Sequence, residues 1–186
     1  MISTNDVRPG MALNLPAGLF QVVEYQHVKP GKGKAFVRMK LKNVETGAVV
    51  DKTFRAGENV PHARIERRDF SYLYRDDLGF HLMDGETFEQ IAVEAETVGD
   101  AADYITDGMT VRLSLFEEKP IGIDLAASVE LAVTHAEPGV KGDRVSGATK
   151  PVTLVTGLVV QAPLFVDVGD VVKVDTRTGE YLTRVS

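Results

Sequence analysis

Residues 36–42, Phe-Val-Arg-Met-Lys-Leu-Lys, alternate so strictly that only an extended strand can sort them. Successive side chains on a strand point to opposite faces, so Val37, Met39 and Leu41 share one face while Arg38, Lys40 and Lys42 share the other. A helix would scatter these residues around its circumference. The stretch before it, residues 19–25, reads as a second strand, and Lys29-Pro30-Gly31-Lys32-Gly33-Lys34 connects the two. Pro30 fixes its own φ and biases Lys29 toward an extended conformation. Gly31 and Gly33 are expected to supply backbone angles that a residue with a Cβ resists. Lys32 then stands at a hairpin tip between two residues without side chains. From residue 28 to residue 43 there are six basic side chains (Lys29, Lys32, Lys34, Arg38, Lys40, Lys42) and no acidic one. A basic strand face feeding a basic tip suits a phosphate backbone, although a lysine-rich glycine turn is also compatible with a solvated loop. No Gly-x-x-x-x-Gly-Lys-Ser/Thr pattern leads into a helix, so this is not a phosphate-binding P-loop.

The same short-strand pattern recurs along all 186 residues. Residues 11–15, 19–28, 35–44 and 48–54 read as strands of a small barrel or roll, and residues 57–61 read as a linker out of it. Residues 70–74 and 80–83 form a hairpin, 87–93 a further strand, 98–105 a short helix and 109–116 another strand. Residues 128–134 and 152–161 continue the β pattern around a long loop, 137–151, and residues 170–175 and 180–185 close as a final hairpin. The second and third units match in length and strand spacing, as two barrels of one kind would. The expected modules are residues 1–64, 65–126 and 127–186.

Charge separates these modules. The first carries ten basic against five acidic residues, net +5; the second five against fifteen, net −10; the third six against seven, net −1. Such segregation points to one part touching a polyanion while another stays off it. Cys is absent, which excludes disulfide and thiolate chemistry. No signal-peptide layout opens the sequence and no apolar run reaches membrane-span length, so the expectation is a cytoplasmic protein without a membrane partner.

Nothing in the residues argues for an active site, and the expectation is a non-enzyme with no catalytic residue, metal or cofactor. His27, His62, His81 and His135 have no metal-ligand spacing. Asp76-Asp77 and Glu117-Glu118 read as solvated hairpin turns. The loop around Gly142, Asp143, Arg144 and Gly147 is the other candidate contact, since its glycines permit close approach to RNA; a plain connecting loop fits it equally.

Taken in order, Lys29-Pro30-Gly31-Lys32-Gly33, Ala35-Phe36, Lys52-Thr53-Phe54, Tyr72-Leu73-Tyr74 and Glu86-Thr87-Phe88-Glu89-Gln90 resemble bacterial elongation factor P. So do Pro138-Gly139-Val140-Lys141-Gly142-Asp143, Lys150-Pro151 and Val174-Asp175-Thr176-Arg177-Thr178-Gly179-Glu180-Tyr181. The resemblance spans the chain. It implies an all-β protein of three small β-barrel domains, a KOW/SH3-like N-terminal domain followed by two OB-type domains. It implies a monomeric translation factor that enters the ribosome between the P and E sites, touches both subunits and P-site peptidyl-tRNA, and relieves stalling at consecutive prolines. Lys32 matches the tip lysine that many members extend covalently with a lysine-modifying enzyme and aim at the peptidyl-transferase centre. Gly142 and Asp143 match the segment approaching the E-site mRNA codon, with Arg144 where many members have threonine. Leu125-Ala126-Ala127 stands where a proline pair is frequent, implying a less stiff hinge. Two other readings of the residues stay open: a carrier domain with a cofactor on Lys32, and an RNA-binding module without ribosomal specificity.

Overall fold

A computed structural model describes residues 1–139 and 147–186, so Gly142, Asp143 and Arg144 lie outside the described residues. The chain divides into two compact units, residues 1–66 with 114–121 and residues 67–113 with 122–186.

The first unit is built from β1 (Ile2–Ser3), β2 (Ala12–Leu15), β3 (Gly18–Val28), β4 (Phe36–Asn43), β5 (Val49–Arg55), β6 (Asn59–Val60) and β7 (His62–Ala63). Five strands form an antiparallel sheet in the order β5-β4-β3-β2-β7, and β1 pairs with β6. The alternation in residues 36–42 has the expected consequence: Val37, Met39 and Leu41 are wholly buried with Val7, Leu13, Phe20 and Val22. Residues 57–61, expected as a linker, are woven into this unit instead. Val60 is buried, β6 holds the N-terminal strand and β7 extends the main sheet. Sequence could not show this, because Ile2 and Val60 are far apart in the chain and meet only by strand pairing.

Thr4 pins that return segment. It is fully buried; its Oγ1 donates to the Arg55 carbonyl at 2.8 Å and accepts from the Gly57 amide at 3.0 Å. Thr4→Val keeps the shape, strands the Gly57 amide and leaves the Arg55 carbonyl only the Glu58 amide at 3.2 Å. It should cost about 2 kcal/mol, the usual penalty for buried polar groups left unsatisfied. Urea unfolding checks this: the midpoint should fall at constant slope, and a loss under about 0.5 kcal/mol would contradict it.

The remaining strands are β8 (Glu66–Asp76), β9 (Gly79–Asp84), β10 (Gln90–Val93), β11 (Thr110–Phe116), β12 (Lys119–Asp124), β13 (Ser128–Ala136), β14 (Thr149–Leu154), β15 (Val159–Pro163), β16 (Val171–Asp175) and β17 (Tyr181–Arg184). They form two five-stranded sheets, β10-β9-β8-β11-β12 and β15-β14-β13-β16-β17. In both, the first strand lies in the centre, the next two on one side and the last two on the other. The two barrels of one kind expected from strand spacing therefore share a topology as well.

Three boundaries differ from the sequence reading. The strand expected over 87–93 begins at Gln90, because Asp84 captures the amides of Glu86 and Thr87 at 2.8 and 3.2 Å and holds them in a turn. Those two bonds, the Glu86 amide foremost, also hold the Asp84 carboxyl below its ordinary pKa. The helix expected over 98–105 begins earlier, as α1 (Ala95–Val98), and tightens into a 3-10 turn over Gly99–Asp103. The loop expected over 137–151 ends earlier, since β14 begins at Thr149; β14 and β15 are joined by a turn in which Gly157 has φ +90°.

The hinge lacking prolines is tied by hydrogen bonds. Thr176 donates its hydroxyl to the Ala126 carbonyl at 2.6 Å and its amide to the Ala127 carbonyl at 3.0 Å. Thr156 Oγ1 reaches the Asp103 carbonyl at 2.6 Å, and Tyr104 packs into the core formed by Leu131, Val172 and Val174.

Candidate nucleic-acid interface

β3 and β4 stay paired out to Val28 and Phe36, and β5 braces the far end by pairing Arg55 with Phe36. Beyond that pair, residues 29–34 are all exposed. Lys32 is therefore presented at the end of a three-stranded arm.

The two glycines have different reasons to be there. Gly33 has φ +109°, a conformation in which a side chain is strained. Gly31 lies outside that region, and a Cβ on it would meet nothing within 4 Å. The expectation that both glycines are demanded by backbone angle thus holds for Gly33 alone. Gly31→Ala should leave the fold within about 0.5 kcal/mol of the parent, as exposed substitutions usually do. If the tip works in a narrow RNA-lined space, the same variant should lose translation of a three-proline reporter. Thermal unfolding and the reporter together check both halves; an unfolded Gly31→Ala protein would contradict the first, and full reporter activity the second.

Strand register turns the basic stripe into a two-dimensional face. Residues directly opposite on antiparallel strands share a face, so the outward side of β3, β4 and β5 is read in rows. Nearest the tip are Val28, Phe36 and Arg55; then Gln26, Arg38 and Thr53; then Glu24, Lys40 and Asp51. Further back, Lys42 lies opposite Gln21 and Val49.

The stripe read from sequence as uniformly basic is interrupted. Lys40 Nζ bonds Glu24 Oε1 at 2.7 Å, and that hydrogen bond, with the Glu24 and Asp51 charges, raises the Lys40 pKa above its ordinary value. No acidic residue occurs within 28–43, but two acids arrive from the flanking strands. Arg55, which sequence reading left outside the face, joins it through β5. The Glu45-Thr46-Gly47 turn carried the signal, since its length fixes the β4–β5 register.

Gly147 lies in the second unit, with φ +91° and open space around its Cβ position. Among the described residues, no group of three or more His, Cys, Asp or Glu could hold a metal ion, and no helix is long and apolar enough to cross a membrane.

Three family models match the chain: the elongation factor P KOW-like domain over residues 3–60, the elongation factor P OB domain over 65–123 and the elongation factor P C-terminal domain over 129–184. The fold and the lysine-tipped arm thus define an all-β protein of KOW-like and OB domains. A solved translation initiation factor eif-5a family protein from Naegleria fowleri superposes with a TM-score of 0.50 at 14% identity, covering 67% of this chain and 96% of that one, and shares the fold. Elongation factor P of Pelotomaculum thermopropionicum is 54% identical over 185 residues, and that of Acidothermus cellulolyticus 53% identical over 186, each aligned along 100% of both chains. The chain belongs to the elongation factor P family of translation factors.

Proposed function

We propose that this translation factor binds the ribosome between the P and E sites, beside peptidyl-tRNA, and stimulates peptide-bond formation where consecutive prolines stall it. The observation that carries the reading is the arm: a lysine held at the end of three paired strands, exposed on every side, on a chain of this family. Residues 1–64, 65–126 and 127–186 act as three modules. The first places Lys32 toward the peptidyl-transferase centre. Lys29, Pro30, Gly31, Gly33 and Lys34 line the approach, with Arg38 behind them. The loop carrying Gly142, Asp143, Arg144 and Gly147 serves as a second anchor toward the small subunit and the E-site codon. Two linked weak contacts raise affinity through effective concentration.

No catalytic residue is needed for this. Proline's ring restricts the geometry of attack, and a factor that holds peptidyl-tRNA aligned supplies part of what orientation is worth, up to about 7–11 kcal/mol at the limit. The ribosome remains the catalyst. Covalent extension of Lys32 by a modifying enzyme would lengthen the reach of the arm without altering its base. The test is single-turnover peptide transfer to proline on purified ribosomes. Saturating factor should accelerate transfer to consecutive prolines and leave transfer to other acceptors nearly unchanged. Equal rates with and without factor would reject the reading.

A further inference from the structure

We propose that Arg38 and Arg55 form a two-guanidinium clamp on RNA phosphates, next to Phe36, and that the basic face ends there, short of Lys40. This deepens the ribosomal reading and rests on it.

The clamp follows from the rows of the sheet. In the two rows next to the tip, the only charged side chains are Arg55 and Arg38, both exposed. They lie diagonally across β4 and β5, a spacing within reach of long side chains. Among the described residues, neither guanidinium has a carboxylate partner. The third row sets Lys40 between Glu24 and Asp51, and its net charge is −1. Phosphate approaching that row would meet two carboxylates and a lysine already engaged at 2.7 Å. The attractive surface therefore runs from Lys29, Lys32 and Lys34 at the tip through Arg55 and Arg38, then stops.

Phe36 neighbours both arginines, Arg55 across the ladder and Arg38 two residues along β4, and is only partly buried, with Val28 beside it. A partly exposed ring next to guanidiniums is an arrangement that single-stranded nucleic acid uses, the base or sugar resting on the ring while phosphates meet the cations. Arginine's planar fork suits this better than lysine would. Arg55 is also held firmly from behind: its amide donates to Glu58 Oε2 at 2.8 Å and its carbonyl accepts from Thr4. The side chain is free to reach RNA while its backbone is fixed.

The experiment measures binding of wild-type protein, Arg55→Gln, Arg38→Gln, Lys40→Gln and Lys32→Ala to ribosomes stalled at a diproline with peptidyl-tRNA in place, over a series of salt concentrations. Arg55→Gln and Arg38→Gln should each weaken binding about fivefold or more and reduce the log–log salt slope by about 0.7–0.9, the loss of one phosphate contact. Lys40→Gln should leave the slope unchanged. A photo-crosslinker at position 55 should capture RNA. Wild-type affinity and slope for Arg55→Gln, with Lys32→Ala impaired, would overturn the clamp and spare the ribosomal reading. A crosslink to protein in place of RNA would also overturn it. Absence of saturable binding by the wild type would remove both. Circular dichroism of Arg55→Gln should match the parent, since only an exposed side chain changes.

Discussion

Lys32→Ala should abolish rescue of consecutive-proline synthesis while leaving the protein folded to the same temperature. The tip packs against nothing: residues 29–34 are exposed, and the last strand pair of the arm is Val28 with Phe36. Removing the side chain therefore costs the fold nothing, and surface changes of this kind usually stay within about 0.5 kcal/mol. The functional loss should be large, because any positioning that the arm supplies depends on the group at its end. Each 1.4 kcal/mol of lost alignment is tenfold in rate, and the positioning effect is worth several such steps, so a reduction of at least about 100-fold in single-turnover transfer to proline is expected. Intact-mass measurement of wild type and variant from the same cells reads the modification in parallel. A mass above that of the sequence in the wild type alone places the adduct on Lys32, and a biotinyl or lipoyl mass would favour a carrier instead. Normal translation of a three-proline reporter by Lys32→Ala, in cells without the wild-type protein, would remove Lys32 from the mechanism.

Gly79→Ala should do the opposite, breaking structure without touching the tip. Gly79 opens β9 with φ +124°, where side chains are strained. A Cβ there would lie 2.3 Å from the Val93 carbonyl oxygen and 3.0 Å from its carbon, and 3.2 Å from the Glu94 Cα. All three are backbone atoms at the end of β10, which pairs with β9 through Val93 and Phe80. No rotamer change relieves the clash. Either the β8–β9 hairpin opens or β10 leaves the sheet. Overpacking of this severity combined with backbone strain should cost about 3–4 kcal/mol. For a chain of this size that is roughly a 10 °C fall in the midpoint of the second unit. A midpoint within 1 °C of the parent would contradict the close approach. Sequence marks Gly79 only as one turn residue after Asp76-Asp77-Leu78, whereas Gly31, which looks more constrained, has open space.

The solvated-turn reading of Asp76 is also incomplete. Asp76 Oδ1 lies 2.8 Å from His81 Nε2, and His81 stacks on Tyr74 with ring centroids 4.3 Å apart. The bulge at Leu73, between Tyr72 and Tyr74, makes this possible by returning Tyr74 to the face of His81. That histidine contact holds the Asp76 carboxyl below its ordinary pKa.

Sequence by itself determined the β character, the hairpin with Lys32 at its end, the buried stripe of Val37, Met39 and Leu41, and the pairing of two like barrels. These are local matters: alternation with period two and glycine or proline at turns act over a few residues, and each can be read where it stands. The tertiary structure alone decided what lies beside what. It brought Glu24 and Asp51 to Lys40 and ended a charge stripe that looked continuous. It set Arg55 next to Phe36, folded residues 57–61 back through Thr4 and Val60, and tied the hinge at Ala126 and Ala127 through Thr176. The physical reason is common to all four. Hydrogen-bonded register and electrostatic pairing act between strands through space, and their partners here lie up to about sixty residues apart in the chain, as Ile2 and Val60 do.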